Sequence, residues 1–213
     1  MKKSQLIILQ KIVFLSLLLL CVFKVHANSK QEQRILVLGD SISAGYGLPA
    51  NTGWVNLLDQ YLTKEKYTFS MLNASISGET SAGGKSRIKK LILDFKPTVV
   101  VVELGANDAL RGFPLKASKE NLLDIINICK ANKAQVLLLG MKIPSNYGAE
   151  YTNQFSKMFV DVSKSTQSTL VPFFLEGIAT NRQLFQDDGI HPNLEAQPIL
   201  LQTMLPSLVK ILK

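Results

Sequence analysis

Histidine and cysteine are almost absent from this chain: each occurs twice in 213 residues, and tryptophan once. Two cysteines, Cys21 and Cys129, are too few for a disulfide framework. With His26 and His191 they form no cluster of zinc-ligand spacing, and no metal or organic cofactor is expected. Three common signatures are also missing. There is no G-x-G-x-x-G dinucleotide turn, no P-loop and no G-x-S-x-G elbow. No segment repeats at a solenoid or propeller period. Charged residues make up 19% and apolar residues 46%, a balance that excludes a disordered chain and is enough for one domain with a real core.

The first residues read as an address and not as part of the fold. Lys2 and Lys3 give a basic start, and Ile12 to Phe23 is apolar throughout except for Ser16. Val25-His26-Ala27 then offers a small-residue cleavage site before Asn28. This is the layout of a secretory signal peptide over residues 1–27, leaving 28–213 as one domain. The competing reading is a retained anchor, but the run falls short of the roughly 18 apolar residues that span a bilayer. Processing would remove four lysines and no acid, leaving 20 basic and 16 acidic residues, or +4 in place of +8. Much of the basic excess is thus an export signal, and no nucleic-acid partner is expected. Cys21 and His26 would leave too, so Cys129 and His191 would each stand alone. Cys129 falls on the apolar stripe of a predicted helix, the place for a small buried hydrophobe.

Five short apolar runs read as strands: Arg34–Leu38, Tyr67–Asn73, Thr98–Leu104, Gln135–Gly140 and Leu170–Phe174. Val99 to Val102 and Val136 to Leu139 do not alternate, as suits parallel strands covered on both faces. Helical stripes lie between them: Ile88, Leu91, Ile92, Phe95; then Leu122, Ile125, Ile126, Cys129; and last Leu201, Met204, Leu205, Leu208. Pro198 and Pro206 predict a kink or a late start in the last helix. Alternating strands and helices imply a three-layer α/β/α sandwich around a five-stranded parallel sheet, flavodoxin-like in build. Ligands in such sheets bind beyond the carboxyl ends of the strands.

The unusual segments sit at those ends. Gly39-Asp40-Ser41 leaves the first strand directly into a loop rich in glycine and serine. Such a loop can present a serine nucleophile, or cradle a phosphate as in flavin-binding proteins. Gly78 offers an exposed backbone N–H and Asn107 a side-chain amide, both suited to a developing oxyanion and both also ordinary turn residues. His191 is the one histidine left to act as a base, with Asp187 and Asp188 close before it. One of these two acids can orient the imidazole, while the other serves only the turn.

Taken in order, Gly39-Asp40-Ser41, Gly78, Gly105-x-Asn107-Asp108 and Asp188-x-x-His191 resemble the four blocks of the SGNH, or GDSL, hydrolases. The first block reads GDSI here where the family reads GDSL. The resemblance runs from about Ile35 to the last helix and is closest to bacterial periplasmic thioesterases that also act as lysophospholipase and protease. It implies Ser41 as nucleophile, Asp188 and His191 as acid and base, and an oxyanion hole of the Ser41 N–H, the Gly78 N–H and Asn107. It implies fatty acyl esters and thioesters as substrates, with Leu110, Phe113, Ile143, Pro144 and Tyr147 as candidate acyl-chain contacts. A monomer without a membrane anchor after processing is the expected state. Two alternatives are a carbohydrate acetylesterase of the same family and an inactive flavodoxin-like binding module. The late Asp188-x-x-His191 pair has no task in the second.

The processing site yields the first prediction. N-terminal sequencing of protein recovered from the producing cell should find a chain that begins near Asn28. Material retained in the membrane and still beginning at Met1 would establish the anchor instead.

Overall fold

Strand β3 (Val99–Glu103) has no exposed residue, so the sheet must be covered on both faces. The computed structural model describes residues 32–212 and shows how. Strands β1 (Gln33–Gly39), β2 (Phe69–Asn73), β3, β4 (Gln135–Leu139) and β5 (Thr169–Val171) form one parallel sheet in the order β2-β1-β3-β4-β5. Seven helices appear among the described residues: α1 (Ser41–Ala44), α2 (Trp54–Lys64), α3 (Ser81–Phe95), α4 (Ala106–Leu110), α5 (Leu115–Ala131), α6 (Ala149–Thr166) and α7 (Gln197–Ile211). Helix α3 packs on α5 and α5 on α6, while α2 packs on α7. These two groups are the outer layers of the three-layer sandwich that the alternating pattern predicts. The signal-like segment, with Cys21 and His26, lies outside the described residues. Among the described residues no helix is long and apolar enough to cross a membrane.

Helix stripes and strand runs meet in one core. Trp54 is fully buried and stands edge-on to Phe174, with ring centroids 5.4 Å apart. Phe155 and Phe159 make a second edge-on pair at 5.2 Å. Such pairs are favoured because a ring's positive edge meets the other's negative face. Cys129 is fully buried on α5, and burial pushes its thiol up to about 12. It is a packing residue, as its place on the stripe predicts.

Three boundaries differ by more than one residue from the sequence expectation, each for a local reason. Strand β2 starts at Phe69 and not at Tyr67, because the chain is still leaving α2: Lys66 is left-handed at φ 57 and the Tyr67 N–H donates to Leu62 O. Strand β5 ends at Val171 and not at Phe174, because Pro172 has no N–H to extend the ladder. The last helix does not start late. Pro198 occupies its first turn, where an N–H has no helical partner in any case, and Pro206 is carried inside the helix.

Sheet order also places the site. The chain moves from β1 to β2 on one side, then returns past β1 to β3 on the other. The carboxyl ends of β1 and β3 therefore flank the switch point, where open α/β sheets bind ligands. On the same rim, the carboxyl end of β4 is tight against backbone at Gly140. Its N–H donates to Val171 O at 2.8 Å, and a Cβ there would lie 2.4 Å from Pro172 O. Since backbone must move to admit it, Gly140→Ala should lose roughly 1–3 kcal/mol of stability. Urea unfolding should show a lower midpoint at unchanged slope.

Candidate active site

Two loops 150 residues apart in sequence close on each other at the carboxyl end of β1. On one side, Asp40 caps the short helix α1 by accepting the Ile42 N–H on Oδ1 at 3.0 Å, which presents Ser41 at the first helical position. On the other side, Asp188 builds its own turn. Its Oδ1 accepts the N–H groups of Ile190 and His191 at 2.9 and 3.0 Å. Gln186 ties the two loops together, donating from Nε2 to Tyr46 O at 2.8 Å. The Tyr46 ring also lies against the His191 ring, with centroids 4.5 Å apart.

The result is a continuous polar chain. His191 Nε2 is 2.9 Å from Ser41 Oγ, and His191 Nδ1 is 2.6 Å from Asp188 Oδ2. A carboxylate accepts and does not donate, so Nδ1 carries the hydrogen and Nε2 is left to accept from the Ser41 hydroxyl. Partial burial works against the charged form of Asp188. The hydrogen bonds from the His191 ring and from the N–H groups of His191 and Ile190 outweigh it and hold the carboxyl down at about 2. Asp188 is therefore ionised at any pH where the imidazole can act as a base.

Across from this chain lie the donors. The loop after β2 is pinned to the loop after β1, with Ile76 N–H donating to Gly39 O and Asn73 Nδ2 to Ser43 O. Among the described residues, the N–H groups of Ser41 and Gly78 donate to no acceptor. Arg111 holds the Gly78 carbonyl, on the peptide that follows, through Nη2 at 3.0 Å. Asn107 lies in α4, and its Nδ2 donates to Asp40 Oδ2 at 3.1 Å. That bond settles which end of the amide faces Asp40, because the opposite orientation would set two acceptors against each other. Asp108 anchors the whole side. It is buried, and its carboxylate accepts from Ser81 N–H, Ser81 Oγ and Ser118 Oγ, joining α4 to the starts of α3 and α5.

A profile of the GDSL-like Lipase/Acylhydrolase family matches residues 37–197. The chain belongs to this family. It is 47% identical over 180 residues to "Esterase TesA" of Pseudomonas aeruginosa, covering 84% of this chain and 90% of the relative. It is 42% identical to "Thioesterase 1/protease 1/lysophospholipase L1" of Escherichia coli strain K12 over 82% of each chain. Among solved structures it resembles the psychrotrophic esterase EstA from Pseudoalteromonas, in a form inhibited by monoethylphosphonate. The TM-score is 0.80 at 42% identity, over 84% of this chain and 98% of that one.

Against the family pattern, sequence reasoning missed two acids. Asp40 and Glu103 are both buried beneath the GDSL-family serine loop. The signal was present for Glu103, a charged residue that closes a run of four valines in a strand with no exposed position. The candidate acyl contacts divide. Phe113, Pro144 and Tyr147 are exposed, Leu110 is half-buried, and the Tyr147 hydroxyl donates to Leu110 O at 3.2 Å. Ile143 is 8% exposed and packs within the core. Its neighbours Lys142 and Pro144 face out. A crevice beside Ser41, without room for a water molecule, is lined by Ile42, Gly45, Tyr46, Leu48, Pro192 and Gln197 and by none of the five.

The two neighbouring aspartates can be told apart by geometry. Asp187 is exposed and gives its backbone carbonyl to Arg182, whereas Asp188 bonds the imidazole. Asp188→Asn should lower kcat/KM on an aryl ester by about 10²–10⁴-fold, because the amide favours the wrong tautomer. Asp187→Asn should stay within about twofold of the parent protein. Equal losses in the two variants would remove Asp188 from the chain of contacts that matters.

Proposed function

We propose that this protein is a serine hydrolase that cleaves fatty acyl esters and thioesters through an acyl-enzyme. Ser41 is the nucleophile, His191 the base and Asp188 its orienting acid. The observation that carries the reading is the unbroken Ser41–His191–Asp188 contact chain, at 2.9 and 2.6 Å, in the tautomer that base catalysis requires.

In the first step the Ser41 hydroxyl attacks the acyl carbonyl as His191 Nε2 takes its proton. The carbonyl oxygen becomes an oxyanion, held by the Ser41 N–H, the Gly78 N–H and the second Nδ2 hydrogen of Asn107. Asp188, kept charged, stabilises the imidazolium. His191 then hands the proton to the departing alcohol or thiolate, leaving the acyl group on Ser41. Water deprotonated by the same imidazole attacks this ester, and Ser41 leaves with the proton as the acid is released. Proton transfers balance within one histidine. The breadth of leaving group follows from the same fact, since each donor faces the acyl part and not the group that departs. Esters and thioesters also match the activities by which the two relatives are known. Residues 1–27 are read as the segment that directs the enzyme out of the cytoplasm, and the working form as a monomer.

A phosphonate ester tests the assignment. A hydrolase takes up one phosphonate per chain at Ser41, and a binding module of the same architecture takes up none. Ser41→Ala and His191→Ala should each remove nearly all turnover, and the double variant should be little worse than either, because the parts act as one unit. Losses that multiply would mean that the two residues act independently. Asn107→Ala should fold and lose about two to three orders of magnitude, the usual effect of one missing preorganised donor.

A further inference from the structure

Glu103 plays no part in the reaction as written, yet the fold goes to some length to keep it. It ends β3 after four buried valines and is itself fully buried. A buried carboxylate is unfavourable unless it is paired with a cation, fully hydrogen-bonded or protonated. Among the described residues no lysine, arginine or histidine forms an ion pair with it. Its Oε2 accepts from the Asp40 N–H at 3.2 Å and from Ser43 Oγ at 2.7 Å. Its Oε1 is buried with no donor facing it.

A second buried carboxyl lies beside it. Asp40 accepts the Ile42 N–H on Oδ1 and the Asn107 amide on Oδ2, so N–H donors face both of its oxygens. The Asp40 N–H donates to Glu103 Oε2 at 3.2 Å, which sets the two buried carboxyls next to each other beneath the serine loop. Two carboxyl groups so placed, out of water and without a cation, do not both ionise, and the pair keeps one proton. The donors decide its owner. Asp40 is already engaged as an acceptor on both sides, while Glu103 has an oxygen that only a proton of its own can make useful. Burial raises both groups. The charge of Asp40 raises Glu103 further, whereas the Ile42 N–H and the bond to Glu103 lower Asp40.

We infer that Glu103 is a proton-bearing positioning residue: its carboxylic acid donates to Asp40, and the Asp40 carboxylate so fixed holds the Asn107 amide in place. The inference rests on the reading of Asn107 as an oxyanion donor. Held through one Nδ2 hydrogen, the amide plane cannot rotate, and the other hydrogen stays directed at the acyl oxygen. The proton also has an electrostatic use. It keeps the charge beneath the oxyanion site at one negative unit, where a second would oppose the charge that develops on the substrate.

Glutamine is the informative replacement. Its amide supplies the donor to Asp40, and its carbonyl accepts from the Asp40 N–H and Ser43, with no proton to lose. Glu103→Gln should therefore keep kcat/KM within about threefold of the parent, while Glu103→Leu should lose about tenfold or more in kcat at nearly unchanged KM. Circular dichroism checks both for folding, and the glutamine variant alone suffices if the leucine variant does not fold. In protein carrying ¹³C-glutamate, the infrared spectrum at neutral pH should contain the carbonyl stretch of a protonated acid, and Glu103→Gln should abolish it. A folded glutamine variant as impaired as Asn107→Ala would overturn the inference, because an ionised glutamate would then be needed. So would the absence of the acid band. Full turnover in Asn107→Ala would instead sink the oxyanion reading, and the infrared band would still report on the proton.

Discussion

Parallel pairing of β1 with β3 puts Gly39 opposite Glu103, and the site hangs from that register. The turns that follow the two strands leave side by side, one bearing Ser41 and the other Asn107. The approach is so close that a Cβ on Gly39 would lie 2.6 Å from Ser43 Oγ and 2.9 Å from Glu103 Oε2. Glycine is therefore demanded here by the close approach of the Ser43 and Glu103 side chains. Its backbone conformation is not the reason. A slip of one residue along either strand would turn every side chain to the other face and separate the serine from the amide. The fully buried valines of β3 resist such a slip, since each has a place in the core on its own side.

Three carboxyl groups near the reaction centre are treated in opposite ways by their surroundings. Asp188 sits at the rim, collects three hydrogen bonds and is held charged, with its carboxyl at about 2. Glu103 and Asp40 sit beneath the serine loop, where burial pushes both upward. Environments that drive like groups apart are how one site assigns different tasks to one kind of side chain. In the proposed mechanism the rim acid serves the base, and the buried pair serves the geometry of the donors.

Much of this was legible in the linear chain because it is local. Unbroken apolar runs announce strands covered on two faces, and the i, i+3, i+4 stripes announce the helices that cover them. Asp188 and His191 are three residues apart, so a single turn sets their contact. The first three motif blocks each follow a strand end within a few residues, and the fourth is a single turn shortly before the last helix. Less was legible where a contact joins distant segments. Gln186 looks like any loop glutamine until it is seen holding Tyr46 O, and Arg111 like any surface arginine until it is seen holding Gly78 O. Ile143 is of the same kind, since its neighbours face outward and only packing shows that it does not.

By itself the sequence determined the fold class and the family, and it named the residues whose chemistry the site uses. Periodicity and short motifs are written in consecutive residues and survive without coordinates. Tertiary structure alone decided that Ser41 meets His191 across 150 positions, that Asn107 rests on Asp40, and that Glu103 lies under both. Those facts depend on sheet order and register, which bring together groups the chain keeps far apart. Burial then changes their proton affinities by removing water, a solvent effect that no single position in the sequence records.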